Sequence, residues 1–558
     1  MTTDRRVFII GLDGATFDVI DPMIEKGDLP NIARIQSEGS RGILQSTIPP
    51  NSSVAWSSMM TGKDPGKHGI YYFRERRIGD YRRPLISSRS LKAKTLWKIV
   101  SEEGGKAGVI NVPVTYPPEP IDGYLISGLL APHRASNFTH PSSLHLELIK
   151  EFGEYPLDHE AQDLFWRGET IRAIEHLIFS SKRVLDTTLW LMNRFPWSLF
   201  MTVFTAPDRV QHVAWRYRME EYARKRPQEC EKFREMIPVI YRLMDDHIGQ
   251  ILRMIDEKTA LIILSDHGFG PIRYKFHINR WLIEQGYLVL KSFPEFRYDP
   301  LSAVMGKLGL GRYRMTPPVL MGNSMGRLRK LRYRRADWEG YFDLVDWSKT
   351  RAFSSFSSGE EIVILNLQGR EPQGIVDSRD YEALCGEIAS RLLELKGSEG
   401  ETIVERVYRR DELYHGPYVD LAPDIQFVTN DYSVNPRSEF FARDVLVKPE
   451  DFFPAMHRRS GIMFLRAPEI LRGSILPESH LRDIAPTALY LLDMPVPDDM
   501  DGKVISDAFQ PASFDKRPIK VKHVGGERGL EQGPGKSTYS QEEEEEVMKA
   551  LKGLGYMG

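Results

Sequence analysis

The feature that most constrains this chain is a recurrent one: short, nearly continuous apolar runs that stop abruptly at polar residues. Val7–Leu12 ends at Asp13, and similar runs lie at Ala107–Val112, Leu199–Phe204, Ala260–Leu264, Glu361–Leu367 and Ile462–Leu465. Runs of this length suit strands covered on both faces, as in parallel sheets. Helical stretches such as Lys94–Glu103 and Ile171–Met192 lie between them. Strands alternating with helices predict an α/β fold: a doubly wound, mostly parallel central sheet with helices on both faces. Such sheets bind ligands at the carboxyl ends of their strands, so the polar residues that end the runs are where chemistry is expected.

The 558 residues exceed one ordinary domain and suggest a large α/β unit with insertions or two to three domains. We expect residues 1–290 and 350–510 to form the catalytic domain, 291–349 an inserted Arg-rich helical cap or lid, and 511–558 a linker and C-terminal helical tail. The insertion holds Arg312, Arg314, Arg327, Arg329, Arg332, Arg334 and Arg335. It reads as a solvated helical face, a phosphate-binding lid, or a peripheral contact with an anionic membrane surface. In the tail, Ser540 and Glu543 form a capping box ahead of a short helix, with Glu542–Glu546 near its positive end. A net charge of −2 and the lack of a nucleic-acid motif argue against a nucleic-acid partner. Cys230 and Cys385 are the only cysteines, which excludes a disulfide framework and fits a reducing compartment. No apolar run approaches the ~20 residues of a membrane span, and the N-terminus does not read as a signal peptide, so a cytoplasmic location is expected.

Five segments carry the chemistry. They are Gly11-Leu-Asp13-Gly-Ala-Thr16; Pro49-Pro-Asn51-Ser52-Ser53, followed by Met60–Ile70; Ala206-Pro-Asp208-Arg-Val-Gln-His212; Ser265-Asp266-His267-Gly268-Phe-Gly270; and Ala455-Met-His457-Arg458. Singly, an Asp after a strand is more often a helix cap than a ligand. Together, carboxylates and imidazoles recurring at strand ends make a ligand set suited to zinc or a similar divalent ion. Asp208 and His212 lie four apart, so one helical turn puts them on one face. Adjacent Asp266 and His267 reach one ion only from an irregular loop, which Gly268 is expected to supply. Paired ligands argue for two ions.

The order Asp, Ser/Thr, Asp-x-x-x-His, Asp-His-Gly, His resembles the alkaline phosphatase superfamily. Within it, the chain looks most like the type I phosphodiesterase/nucleotide pyrophosphatase branch, from Val7 to about Lys503, including Asp483-Ile-Ala-Pro-Thr487 and Met494–Gly502. The resemblance implies an alkaline phosphatase-like fold and a hydrolase that cleaves phosphate esters of a small phosphorylated substrate. One metal would be held by Asp208, His212 and His457, the other by Asp13, Asp266 and His267. Zinc is the first expectation, with manganese or iron as alternatives. The nucleophile would be Ser52, with Ser53 as competitor, and the reaction would pass through phospho-Ser52. The runner-up is a phosphomutase or phosphotransferase of the same superfamily, in which a substrate hydroxyl intercepts phospho-Ser52.

Weaker candidates for substrate contact are Asn111, Thr115, His68, His277, Lys63 and Lys67. The match also departs from its pattern. Where the nucleotide pyrophosphatases carry a phosphoryl-binding Asn after the His-Gly-Ile motif, this chain has Phe73, which puts diester preference in doubt. Arg74, next to it, is the candidate partner for a monoester dianion. A sulfatase reading is disfavoured, because neither Ser52-Ser-Val-Ala-Trp56 nor Ser53-Val-Ala-Trp-Ser57 has the required Arg.

Overall fold

The computed structural model describes residues 5–133, 135–153, 155–157, 160–291, 339–355, 360–449, 454–525 and 538–554. The seven insertion arginines named above lie outside the described residues. Around that gap the chain leaves and re-enters side by side, since Leu290 and Val345 form an antiparallel bridge.

The first strand, Val7–Leu12, sits in the middle of a ten-stranded sheet, flanked in parallel by Leu199–Phe204 and Ala260–Leu264. Ala107–Val112 extends the parallel run beyond Leu199–Phe204, and Gly123–Ser127 extends it further. Every residue of Val7–Leu12, Leu199–Phe204 and Ala260–Leu264 is buried. Helices cover this core, among them Thr170–Arg194 and Met236–Met254, each presenting a stripe of buried apolar residues.

The sheet is mixed, which corrects the expectation of a mostly parallel, doubly wound one at its edges. The run at Ile462–Leu465 belongs to the strand Ser460–Arg466, which pairs antiparallel with both Ala260–Leu264 and Ser40–Gln45. At the other edge Thr139–His140 is antiparallel too. A buried apolar run has the same composition whichever way it points, so direction is not written in it. The run at Glu361–Leu367 leaves the main sheet altogether. Ile362–Leu365 lies in a four-stranded antiparallel sheet with Ala352–Phe353, Ile425–Thr429 and Val404–Arg409. This smaller sheet has its own hydrophobic core, which includes Phe276, Trp281, Ile388 and Phe427. The seam between the two cores runs beside the strand ends that carry the conspicuous Asp and His residues.

The C-terminal segment is docked against the main core. The helix Gln541–Gly553 starts with the Ser540/Glu543 capping box and buries Val547, Met548 and Leu551. Tyr539 Oη donates to the carbonyls of Ile86 and Leu130, and Trp166 Nε1 donates to Gly553 O. Leu551 is fully buried, so Leu551→Ala is expected to cost about 2–5 kcal/mol. Thermal unfolding should show a clearly lowered midpoint; an unchanged midpoint would mean that the helix is not part of the cooperative core.

Candidate metal centre

Asp13 follows the central strand, and the chain turns at once because Gly14 takes φ +68. A Cβ at Gly14 would stand 3.1 Å from the Cβ of Asp208, so the loop after the first strand meets the segment bearing Asp208 only over a glycine. Gly11 has a related role. A Cβ there would lie 2.5 Å from the Trp56 ring, so its absence lets Trp56 lie flat on the first strand. Trp56 Nε1 then donates to Asp13 Oδ2 at 3.2 Å. Gly14 N–H donates to Asp266 Oδ1, also at 3.2 Å.

Asp208 and His212 lie on the helix Ala206–Ala214, as their spacing requires, with His212 Nε2 3.3 Å from Asp208 Oδ1. His457, on the strand Ala455–Arg458, brings its Nε2 within 3.2 Å of His212 Nε2 and 3.3 Å of Asp208 Oδ1. Across the site, His267 Nε2 is 3.3 Å from Asp266 Oδ2 and 3.6 Å from Asp13 Oδ1. Ser52 Oγ lies 3.1 Å from the same His267 nitrogen. A tetrahedral ion bound at about 2.0–2.1 Å sets its donor atoms about 3.3–3.4 Å apart. The spacings among Asp208, His212 and His457 match that edge, as does His267–Asp266, while His267–Asp13 is wider at 3.6 Å.

The donor chemistry fits cations as well. His457 Nδ1–H donates to Pro50 O (2.9 Å) and His267 Nδ1–H to Gly268 O (3.0 Å). A carbonyl only accepts, so each ring keeps its Nε2 lone pair for the site. Asp13 Oδ1 and Asp266 Oδ2 are buried with no hydrogen-bond partner. The grouping is not unique. Asp13, Asp266 and His267 offer donor atoms within 4.8 Å of one another, but so do Asp208, His267 and His457, and His267 thus stands between the two positions. The short distances to Ser52 and Asp266 place its Nε2 nearer the Asp13 side.

Seven side chains meet here, Asp13, Ser52, Asp208, His212, Asp266, His267 and His457, and none is more than 5% exposed. Burial first, then the charges of Asp266 and Asp208, hold Asp13 well above the usual carboxylate range. Burial, with the charge of Asp208 next, pushes Asp266 up to about 7. Asp208 goes the other way. Burial would raise it, but His212, His457 and Arg209 together outweigh burial and hold it well below the ordinary value. Burial keeps His212 and His267 neutral.

Ser52 opens the helix Ser52–Thr61, where the helix dipole favours negative charge. The neighbouring hydroxyl is engaged elsewhere, for Ser53 Oγ donates to the capping Asn51 Oδ1 at 2.6 Å. Gly268 does not loosen the loop as expected. It lies in the strand Gly268–Pro271, without positive φ, and its missing Cβ leaves room for Ser460 O, which would otherwise be 2.2 Å away.

The weaker candidates are bonded elsewhere. Asn111 takes φ +61 and its Nδ2 donates to Val203 O, tying two strands together. The Thr115 hydroxyl donates to Val112 O. Arg74 is buried, and its guanidinium donates to Arg83 O and Met548 Sδ beneath the C-terminal helix. His277 precedes the helix Ile278–Glu284, and its Nδ1 lies 3.5 Å from Glu439 Oε2. His68 accepts from Ile70 N–H and faces the Ser58 hydroxyl at 2.9 Å, which pins the loop. Lys63 pairs with Asp499 and Lys67 with Asp501. Phe73 is buried in the main core.

Two residues at the centre carry no motif signal. Trp56 orients Asp13. The fully buried Arg209 donates to Asp208 Oδ2 at 2.8 Å, turning Oδ1 toward the two histidines.

A mixed α/β sheet with a dry carboxylate–imidazole centre and a serine at a helix start defines an alkaline phosphatase-like protein. Residues 7–435 match the model of the type I phosphodiesterase/nucleotide pyrophosphatase family, and the chain belongs to that family of phosphoric ester hydrolases. Phosphonoacetate hydrolase from Sinorhizobium meliloti 1021, solved with phosphonoacetate, shares the fold at TM-score 0.54 and 14% identity. That match covers 88% of this chain and 96% of the hydrolase. Murine ectonucleotide pyrophosphatase/phosphodiesterase 5, in an inactive form with AMP, aligns at TM-score 0.48 and 12% identity over 88% of this chain and 96% of its own. No curated protein matches the chain. Among the described residues, no helix is long and apolar enough to cross a membrane.

Three buried carboxylates so close together leave the folded chain short of positive charge. Stripping divalent ions with a chelator should therefore lower the melting temperature, and zinc should restore it. A site occupied at 100 times its Kd contributes about 2.7 kcal/mol. A melting curve indifferent to chelator and zinc would count against metal binding here.

Proposed function

We propose that the protein hydrolyses phosphate esters of a small substrate by transferring the phosphoryl group first to Ser52 and then to water. The observation that carries this reading is the position of Ser52 Oγ, 3.1 Å from His267 Nε2, where the two donor groups meet at a helix N-terminus. Asp208, His212 and His457 would hold one divalent ion, and Asp13, Asp266 and His267 the other. Bound there, two ions would supply charge to stabilise the serine oxygen and the leaving oxygen. Zinc suits the tetrahedral spacing best, with manganese and iron as the alternatives that reconstitution tests.

The chain's own residues prepare the rest. Ser52 Oγ stands at the start of the helix Ser52–Thr61, beside the Nε2 of His267, where the helix dipole favours the negative charge that develops on it. Trp56 and Gly14 fix the outer oxygens of Asp13 and Asp266, and Arg209 fixes that of Asp208. Groups positioned in this way need little reorganisation at the moment of reaction, and the burial of all seven side chains strengthens every charge interaction among them.

With Phe73 in the core and Arg74 bonded beneath the tail, neither stands as a phosphoryl clamp. We infer a preference for monoesters, since the diester-binding Asn has no counterpart at that position. A cytoplasmic location remains part of this proposal, supported by the free, buried Cys230 and Cys385.

Ser52→Ala should lower kcat on the order of 10³-fold or more, as loss of a nucleophile does. Ser53→Ala should stay within about tenfold, its hydroxyl serving only the cap. Intact turnover in Ser52→Ala would eliminate the covalent route. With zinc or manganese loaded, nitrophenyl phosphate should be turned over faster than bis(nitrophenyl) phosphate; the opposite ratio would make the enzyme a diesterase. Transfer of phosphate to an added alcohol in preference to water would favour a phosphotransferase.

A further inference from the structure

A cleft of about 230 Å³ opens at the seam between the two cores, lined by Ile48, Tyr408, Val428, Tyr432 and Arg459 among others. Its walls belong to the segments that build the reaction centre. Ile48 precedes Ser52 by four residues, and Arg459 follows His457 by two. A chain spans at most about 3.6 Å per residue, so the backbones of these two wall residues lie within about 14 Å of Ser52 and about 7 Å of His457 respectively. The opposite wall comes from the strands Val404–Arg409 and Ile425–Thr429 of the smaller sheet.

The polar groups of this cleft are unusual. Tyr432 is 7% exposed, and its phenol oxygen has no hydrogen-bond partner among the described residues. Leaving a buried hydroxyl unsatisfied is costly, so such a group calls for a partner. The loop that holds it there is also strained. Asp431 and Tyr432 are consecutive non-glycine residues with φ +49, a left-handed conformation that L side chains adopt only at a cost. Arg458, next to His457, holds this loop in place: its Nη1 donates to Tyr432 O at 2.7 Å and its Nε lies 3.4 Å from Asp431 Oδ2. The strained loop is thereby tied directly to the strand that bears His457.

Charge points the same way. Arg459 reaches only a backbone carbonyl, Ser46 O at 3.4 Å, and makes no ion pair among the described residues. The two acids that line the cleft are already matched, Asp431 by Arg458 and Glu405 by Arg406, itself a lining residue, at 3.8 Å. Burial, which outweighs the nearby Arg459, keeps the Tyr432 phenol protonated and so a hydrogen-bond donor. Arg459 and Tyr432 both line the cleft, and a guanidinium fork with a phenol O–H is a recognition pair for an oxyanion, a carboxylate or a phosphate.

We propose that this cleft is the leaving-group subsite and that Arg459 and Tyr432 bind a second oxyanion carried by the substrate. Substrates of the Ser52 centre would then be phosphate esters of small acids, anionic at both ends. The inference rests on the proposed phosphohydrolase reading for its placement, and the test separates the two.

Matched ligands that differ only in the second anion report on it. The metal-loaded enzyme is titrated calorimetrically with 4-carboxyphenylphosphonate and with phenylphosphonate, which needs no turnover. The same comparison is made in kcat/KM with 4-carboxyphenyl phosphate and phenyl phosphate. The wild type should favour the carboxylated member of each pair by about tenfold or more. Arg459→Met should bring that ratio toward one, Tyr432→Phe should reduce it in part, and Arg459→Lys should restore some of it. Circular dichroism of the variants checks that they fold.

A wild-type ratio near one, or a ratio unmoved by Arg459→Met, overturns the subsite. If the binding preference behaves as expected but neither ester is turned over, the subsite stands and the hydrolase reading fails. Benzoate alone is titrated as well. Tight, Arg459-dependent binding of benzoate that does not compete with the carboxylated phosphonate would make the cleft a separate anion site and overturn its assignment to the leaving group.

Discussion

The structure depends on a crowding of charge. Three carboxylates, from Asp13, Asp208 and Asp266, converge in a buried space, with Arg209 as a fixed cation beside them. Burial and mutual repulsion drive two of the three toward their protonated forms. A chain that gathers acids this way carries a large electrostatic cost unless something positive shares the space. Three imidazoles beside them, from His212, His267 and His457, define what that something is: cations that accept both oxygen and nitrogen donors.

Most of the fold near this point serves to bring the donors within reach. The central strand delivers Asp13, its parallel neighbours deliver Asp208 and Asp266, and the strand Ala455–Arg458, just before Ser460–Arg466, contributes His457. Close approach is made possible by missing side chains. Gly11 admits the Trp56 ring, Gly14 admits Asp208, and Gly268 admits the carbonyl of Ser460. Hydrogen bonds from Trp56, Gly14 and Arg209 then fix one oxygen of each carboxylate, so that the other faces the centre.

Much of this was legible in the sequence, for physical reasons. Strands buried on both faces leave uninterrupted apolar runs, and the residues that end them are where a parallel sheet presents its ligands, so Asp13, Asp208 and Asp266 stood out. The i, i+4 spacing of Asp208 and His212 needed only a helix, which Ala206–Ala214 provides. Strand direction was not legible: Ile462–Leu465 and Ile362–Leu365 read like parallel core strands because burial alone sets their composition. The choice between Ser52 and Ser53 depended on which hydroxyl the Asn51 cap would engage, a matter of local geometry. Arg209 gave no signal, since neighbours in sequence seldom pair on a helix and a buried arginine looks like any other. Arg74 and Phe73 stand out by position in a motif, whereas Phe73 packs into the main core and the Arg74 guanidinium meets a tail helix more than four hundred residues away.

The central claim is that two ions share this centre beside Ser52. The most direct measurement is the metal content of the purified chain after zinc loading and removal of free ion, determined by elemental mass spectrometry. The account predicts two tightly held ions per chain, falling to one when Asp13 or His212 is replaced by alanine. Fewer than two ions in the wild type, or a content unchanged in both variants, would contradict it.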